Sequence, residues 1–123
     1  MREQGVVNLG EKLSLFNETW TPKIIGALNA QHVKLAKLRG GLMWHAHEHE
    51  DELFLVLEGE LTIQMKDRAD VRLRAGEMYI VPRGVEHNPV SEHGASVLLF
   101  EPESTKHTGA HVTERTVVDP QWI

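Results

Sequence analysis

The residues best suited to chemistry gather in Trp44-His45-Ala46-His47-Glu48-His49-Glu50-Asp51-Glu52. His45 and His47 stand two positions apart, so an extended strand points both imidazoles to one side. Glu52 follows after a short polar gap. His87 stands in a second stretch, punctuated by Gly76, Pro82 and Gly84. Neutral imidazole and carboxylate suit divalent iron, manganese, nickel or zinc. The chain has no cysteine, so nitrogen and oxygen must supply every ligand. Three imidazoles and one carboxylate on an octahedral ion leave two positions open for water, oxygen or a chelating substrate.

The elements around these residues must place them. Residues 42–47 are expected to be a strand, with Met43 on the face of His45 and His47 and Trp44 pointing away. The spacing from His47 to Glu52 is odd, which no unbroken strand reconciles with a shared face, so a turn is required within Glu48–Asp51. Leu53 to Leu57 is apolar without alternation, as in a strand covered on both faces. Glu58-Gly59-Glu60 reads as a hairpin turn before the alternating Leu61-Thr62-Ile63-Gln64-Met65. Lys66 to Asp70 is a second polar turn, Val71-Arg72-Leu73 alternates, and Ala75-Gly76-Glu77 turns again. Met78 to Val81 is a short apolar strand ended by Pro82, and Pro82-Arg83-Gly84 is a tight turn presenting His87. Ser96 to Phe100 is the last core strand, stopped by Pro102.

Upstream, Leu9, Leu13 and Phe16 have helical spacing despite Gly10 and suggest an arm or short helical turn docked on the rest. Trp20, Ile24 and Ile25, with Pro22 and Gly26, suggest an edge strand. Residues 32–39 alternate at Val33-Lys34-Leu35 and lose phase at Leu38, as a bulge would cause, and Gly40-Gly41 permits a kink. In the polar tail from Glu103, Val117-Val118 and Trp122-Ile123 are the packing points. Six or more short strands with almost no helical pattern predict an all-β barrel or sandwich.

Bulk properties narrow the classes. A chain of 123 residues suggests one domain with a real core. Net charge is −5 and Lys66, Arg68, Arg72 and Arg74 are interrupted by Asp67 and Asp70, which argues against nucleic acid as a partner. The first residues lack the apolar core of a signal peptide, and no run approaches the roughly 20 apolar residues of a membrane span. A cytoplasmic protein is expected.

Together the two stretches resemble the paired motifs of the cupin superfamily, in particular its small single-domain, RmlC-like barrels. The first motif is Gly, five residues, His-x-His, three or four residues, Glu, six residues, Gly. His45, His47, Glu52 and Gly59 fit it, while the leading glycine position holds Arg39 and Gly40 comes one residue late. The second is Gly, five residues, Pro-x-Gly, two residues, His, three residues, Asn. Gly76, Pro82, Gly84 and His87 fit, and Ser91 stands at the asparagine position. Eight fixed positions at set spacing coincide by chance on the order of 10⁻⁹ per starting point. The resemblance implies a double-stranded β-helix (jelly-roll) barrel over roughly residues 20–105, with an N-terminal arm and a C-terminal tail. It implies His45, His47, Glu52 and His87 as the ligands of one divalent metal, and a homodimer as the default assembly.

Function follows less directly, because the fold hosts many chemistries. The leading expectation is a metal enzyme acting on a small polar metabolite, a sugar or carboxylic acid, by isomerase- or dioxygenase-type chemistry. His49 and Tyr79 are the nearest candidates for moving a proton, and Arg83 for holding a carboxylate. The competing reading of His49 is an exposed turn histidine. The alternative function is a non-catalytic module that binds or senses a small molecule. His107 and His111 stand four apart around Gly109 in a polar stretch and read as solvated loop histidines, while His32 and His93 have no partner in sequence.

Overall fold

The computed structural model describes residues 4–105, 109 and 120–123. Val117-Val118, His107 and His111 lie outside the described residues. A short helix α1 (Leu9–Leu13) precedes strands β1 (Lys23–Leu28), β2 (Gln31–Gly41), β3 (Glu52–Met65), β4 (Val71–Arg74), β5 (Met78–Val81) and β6 (His87–Pro102). All pairings between these strands are antiparallel, in the order β1-β2-β6-β3-β4, with β5 also paired to β3. The architecture is an all-β jelly-roll barrel.

The alternation of β3 explains its place at the centre. Phe54, Val56, Leu61, Ile63 and Met65 turn inward and are buried. They pack with Ala36, Leu38, Leu73, Val81, Val97 and Leu99 into the main core. Leu53, Leu55 and Leu57 face outward and are half-buried. The expected cover on both faces of this segment is therefore only partial on the outside. The arm supplies part of it: Leu13 and Phe16 are buried with Ile25 and Leu35, flanked by Leu57, Leu98 and Ile123. Asn8 caps α1 by accepting from the Glu11 N–H at 2.9 Å. β1 is an edge strand, as its Pro and Gly suggested. Ile24 bonds the backbone of Gln121 and Ile123, which shields part of that edge.

Three expectations need correction. Glu58-Gly59-Glu60 is not a hairpin turn, because β3 runs through it with register shifts against β6 at Val56/Glu58 and Gly59/Thr62. Gly59 is at φ +81°, and a Cβ there would lie 2.2 Å from the Gly94 carbonyl oxygen. A glycine that looks like a turn in sequence is here a point of close strand contact. The last strand does not begin at Ser96 but at His87, because Gly94 at φ +100° lets one strand bend instead of ending. Residues 42–47 are extended but form no regular strand: His45 makes an isolated bridge to His87. The bulge expected near Leu38 is present, at Leu38/Gly40 against β6, with Gly40 at φ +74°.

Candidate metal centre

Backbone pairing puts the first two imidazoles in place. His45 and His87 exchange both hydrogen bonds, N–H to O at 2.9 and 2.8 Å, and the Gly84 N–H donates to the His47 carbonyl at 2.8 Å. The stretch from His45 to His47 therefore runs beside 84–87. Within it Trp44 is exposed while His45 and His47 are buried, so the two-residue spacing works although the ladder is broken. The chain then bends at Glu48 and His49, which is the turn the odd spacing to Glu52 demanded. Asp51 ties that turn to the Pro82–Gly84 turn: its Oδ1 accepts from the Arg83 N–H at 2.8 Å and lies 3.5 Å from Arg83 Nε. Arg83 is thus engaged at the surface. Glu52 opens β3 with its side chain inward, opposite Val81 of β5.

These constraints bring His45, His47, Glu52 and His87 together, each buried, with one ligand atom apiece and all four atoms within 4.8 Å of one another. Glu52 Oε1 is 3.2 Å from His47 Nε2 and 3.7 Å from His87 Nε2. The tautomers follow from the carbonyls behind the rings. His45 Nδ1 lies 2.9 Å from the Met43 oxygen, and His87 Nδ1 lies 2.9 Å from the Val85 oxygen. A carbonyl only accepts, so both Nδ1 atoms carry the proton and both Nε2 atoms present a lone pair. The buried Nε2 atoms of His47 and His87 have no hydrogen-bond partner among the described residues. A divalent cation satisfies all of these atoms at once, and the donor set fits one.

The electrostatics agree with that fit. Burial pushes the His45 imidazole down to about 4, and the neighbouring His87 adds to the effect, so His45 is neutral near pH 7. Burial opposes charge on His47 too, but the Glu52 carboxylate outweighs it and raises His47 above its ordinary value. Burial also works against an ionised Glu52, yet the polar groups around it, Glu101 and the His47 and His87 rings, hold it well below the usual carboxylate range. Glu101 behaves oppositely, driven well up by burial and by the adjacent Glu52, with Lys34 pulling the other way.

Beside the cluster is a cavity of about 20 Å³ lined by Trp20, Leu38, Leu42, Phe54 and Leu99 together with His45 and Glu52. That volume holds about one water molecule. Its walls are otherwise apolar, and the Trp20 indole N–H is already spent on the Arg39 carbonyl at 2.9 Å. Of the other side chains that could have faced this space, His49 is not brought to the cluster. It is 80% exposed and lies 3.8 Å from Glu48. Tyr79 is half-buried on β5, opposite Phe54, and packs against the main core. Sequence reasoning missed Lys34 and Glu101, both buried and ion-paired at 2.9 Å.

A barrel of antiparallel strands closing on a buried three-histidine, one-glutamate cluster defines a class of small metal-site barrels. The family model for the cupin domain matches residues 32–101, more than half of the chain, and the protein belongs to that family. A cupin-2 domain containing protein from Shewanella frigidimarina NCIMB 400 is similar at 42% identity and a TM-score of 0.77, over 80% of this chain and 95% of that one. A hydroquinone 1,2-dioxygenase from Sphingomonas sp. TTNP3, solved with 4-nitrophenol, matches 78% of this chain but 32% of its own, at 25% identity and a TM-score of 0.71. In sequence, YdbB of Bacillus subtilis (strain 168) is 43% identical over 63 residues, which is 51% of this chain and 56% of YdbB. A 3-hydroxyanthranilate 3,4-dioxygenase of Xanthomonas campestris pv. campestris (strain B100) is 33% identical over 64 residues, 50% of this chain and 36% of the dioxygenase. The matches thus span about half of YdbB and about a third of the dioxygenases.

Proposed function

We propose that the protein is a metal-dependent cupin in which His45, His47, Glu52 and His87 bind one divalent ion, and that it carries out dioxygenase-type chemistry on a small molecule. The observation that carries this reading is the set of buried, unpartnered imidazole nitrogens converging on an ionised carboxylate. A bound divalent metal would supply Lewis acidity and, in the case of iron, oxygen chemistry. The chain's own part is to hold two imidazoles in the ligating tautomer through Met43 and Val85 and to surround the site with apolar walls that exclude water.

The apolar side chains beside His45 and Glu52 favour a weakly polar substrate such as a phenol or an aromatic acid over a sugar, because they offer little to hydrogen-bond several hydroxyls. The likeness to dioxygenases of hydroxylated aromatics supports the same direction. Isomerase-type chemistry on a sugar remains the weaker form of the proposal. For proton transfer, Tyr79 is the better placed of the two side chains, since His49 stands at the surface.

The second reading is a module that binds a ligand without turning it over. Metal analysis of the purified protein followed by oxygen uptake with phenols, aromatic acids and sugars separates the two. Oxygen consumption that disappears in His47→Ala supports the enzyme. Ligand binding with no turnover under iron, manganese, nickel or zinc supports the binding module.

We further propose a single domain that acts in the cytoplasm as a homodimer, without nucleic-acid or membrane partners. Met78 and Ile80 are 54% and 47% exposed beside half-buried Leu53 and Leu55, which gives a second copy an apolar face to cover. No helix among the described residues is long and apolar enough to cross a membrane.

A further inference from the structure

The small cavity beside the cluster is walled in part by a residue that no barrel strand carries. Trp20 and Pro22 stand in the connection between α1 and β1. Ala36 and Leu38 come from β2, Phe54 from β3 and Leu99 from β6, strands that are extensively paired with one another. His45 and Glu52 belong both to the ligand cluster and to this wall. With Trp20 in place the cavity measures about 20 Å³, room for about one water.

The backbone of Trp20 is unusual too. Its φ is +57°, in the left-handed region that bulky L-residues rarely enter. Such a conformation costs about 1–3 kcal/mol and persists only where the surroundings impose it. Here β2 imposes it. The Trp20 main-chain N–H donates to the Lys37 carbonyl at 2.8 Å, and the indole N–H donates to the Arg39 carbonyl at 2.9 Å. Thr19 forms an isolated bridge with Lys37 beside them. Trp20 is thus pinned at two points and buried in the main core. Filling a core does not require a strained backbone. Holding one large ring at a set place beside the ligands does call for such anchoring.

We propose that Trp20 is a specificity-determining residue of the site: its indole sets the size of ligand that reaches an ion held by His45, His47, Glu52 and His87. The proposal rests on the metal reading above and adds the part of the chain that decides which molecules enter. Trp20 has the largest side chain on the wall. A ligand larger than a water meets strand-borne walls at Ala36, Leu38, Phe54 and Leu99, which move only with the barrel. At Trp20 it meets a ring carried by a connection.

The test uses the full chain loaded with Co²⁺, whose visible absorption reports ligands entering the coordination sphere. Azide is the slender probe, and 2-naphthol, with its fused rings, is the bulky one. Trp20→Gly removes the ring and suits the left-handed backbone, so it avoids the strain that an alanine would keep. Trp20→Phe keeps a smaller ring. Trp20→Gly is expected to bind 2-naphthol at least about 10-fold more tightly than the unmodified protein, with azide affinity nearly unchanged and Trp20→Phe between the two. Affinity for Co²⁺ itself is expected to hold in both variants, because Trp20 is not among the four ligand residues. A ratio of 2-naphthol to azide affinity that is the same in all three proteins overturns the proposal, as does an equal rise for both probes. Should Trp20→Gly fail to fold, an unchanged ratio in Trp20→Phe overturns it alone. Those results leave the ligand assignment standing, whereas an unmodified protein that takes up no Co²⁺ overturns both.

Discussion

Gly59 offers a sharp test of how the barrel is closed. It lies where β3 passes β6, at φ +81°, and an added Cβ would sit 2.2 Å from the Gly94 oxygen and 2.9 Å from the Ala95 Cα. Both of those neighbours are backbone, so neither can swing aside. Gly59→Ala therefore combines two costs. The left-handed conformation disfavours an L-residue by about 1–2 kcal/mol. The forced separation of two paired strands adds about 1–3 kcal/mol, as overpacking usually does. Gly76 is the matched control, because it is at φ +88° with nothing within 4 Å of an added Cβ. Gly76→Ala should cost only the backbone part, about 1–2 kcal/mol. At roughly 4 °C per kcal/mol for a chain of this size, Gly59→Ala should melt about 8–20 °C lower and Gly76→Ala about 4–8 °C lower. Thermal melts followed by circular dichroism, with urea titrations to obtain free energies, measure both. Equal losses in the two variants would refute the steric argument and leave only the conformational one.

Other outcomes follow from the site and its supports. Ser91→Ala removes a buried donor to the Glu60 carbonyl at 2.7 Å and should cost about 1–2 kcal/mol in urea unfolding. Adding a divalent metal at 100 times its dissociation constant should stabilise the protein by about 2.7 kcal/mol, and His47→Ala should lose most of that gain. In the metal-free protein, His45 titrates at about 4 when folded against 6.5 for a free imidazole. Between those values the unfolded chain binds the extra proton, so this contribution is full above pH 6.5 and is lost as pH falls toward 4, by up to about 3 kcal/mol. His47 runs the other way: its raised value contributes stability that is complete below 6.5 and declines as pH rises through its folded value. Urea melts across pH on unmodified, His45→Gln and His47→Gln proteins separate the two slopes.

What could be read from the chain in advance was whatever depends on spacing. The two-residue step of His45 and His47 and the odd step to Glu52 are local rules of the extended backbone, and the bend at Glu48 and His49 honours them. Strand ends were less legible, because Gly59 and Gly94 mark bends inside long strands and a bend uses the same residue as a turn. Lys34 shows a deeper reason for failure. In Val33-Lys34-Leu35, alternation alone suggests leucine inside and lysine outside. The arm covers the outer face, so Leu35 is buried against Phe16 and Leu13, while Lys34 turns inward to Glu101. No local pattern reveals that a remote segment has covered one face. Ser91 is the opposite case, a departure from the family motif whose hydroxyl still closes a buried bond.

The reciprocal pair of hydrogen bonds between His45 and His87 has a kinetic consequence. Both residues are held by main-chain bonds to each other, which need no ion. Uptake of the ion then involves no search by those two arms of the coordination sphere. Loading should scale with ion concentration in a single phase, without the lag of a protein that must rearrange first, and removing the ion should leave the strand architecture intact.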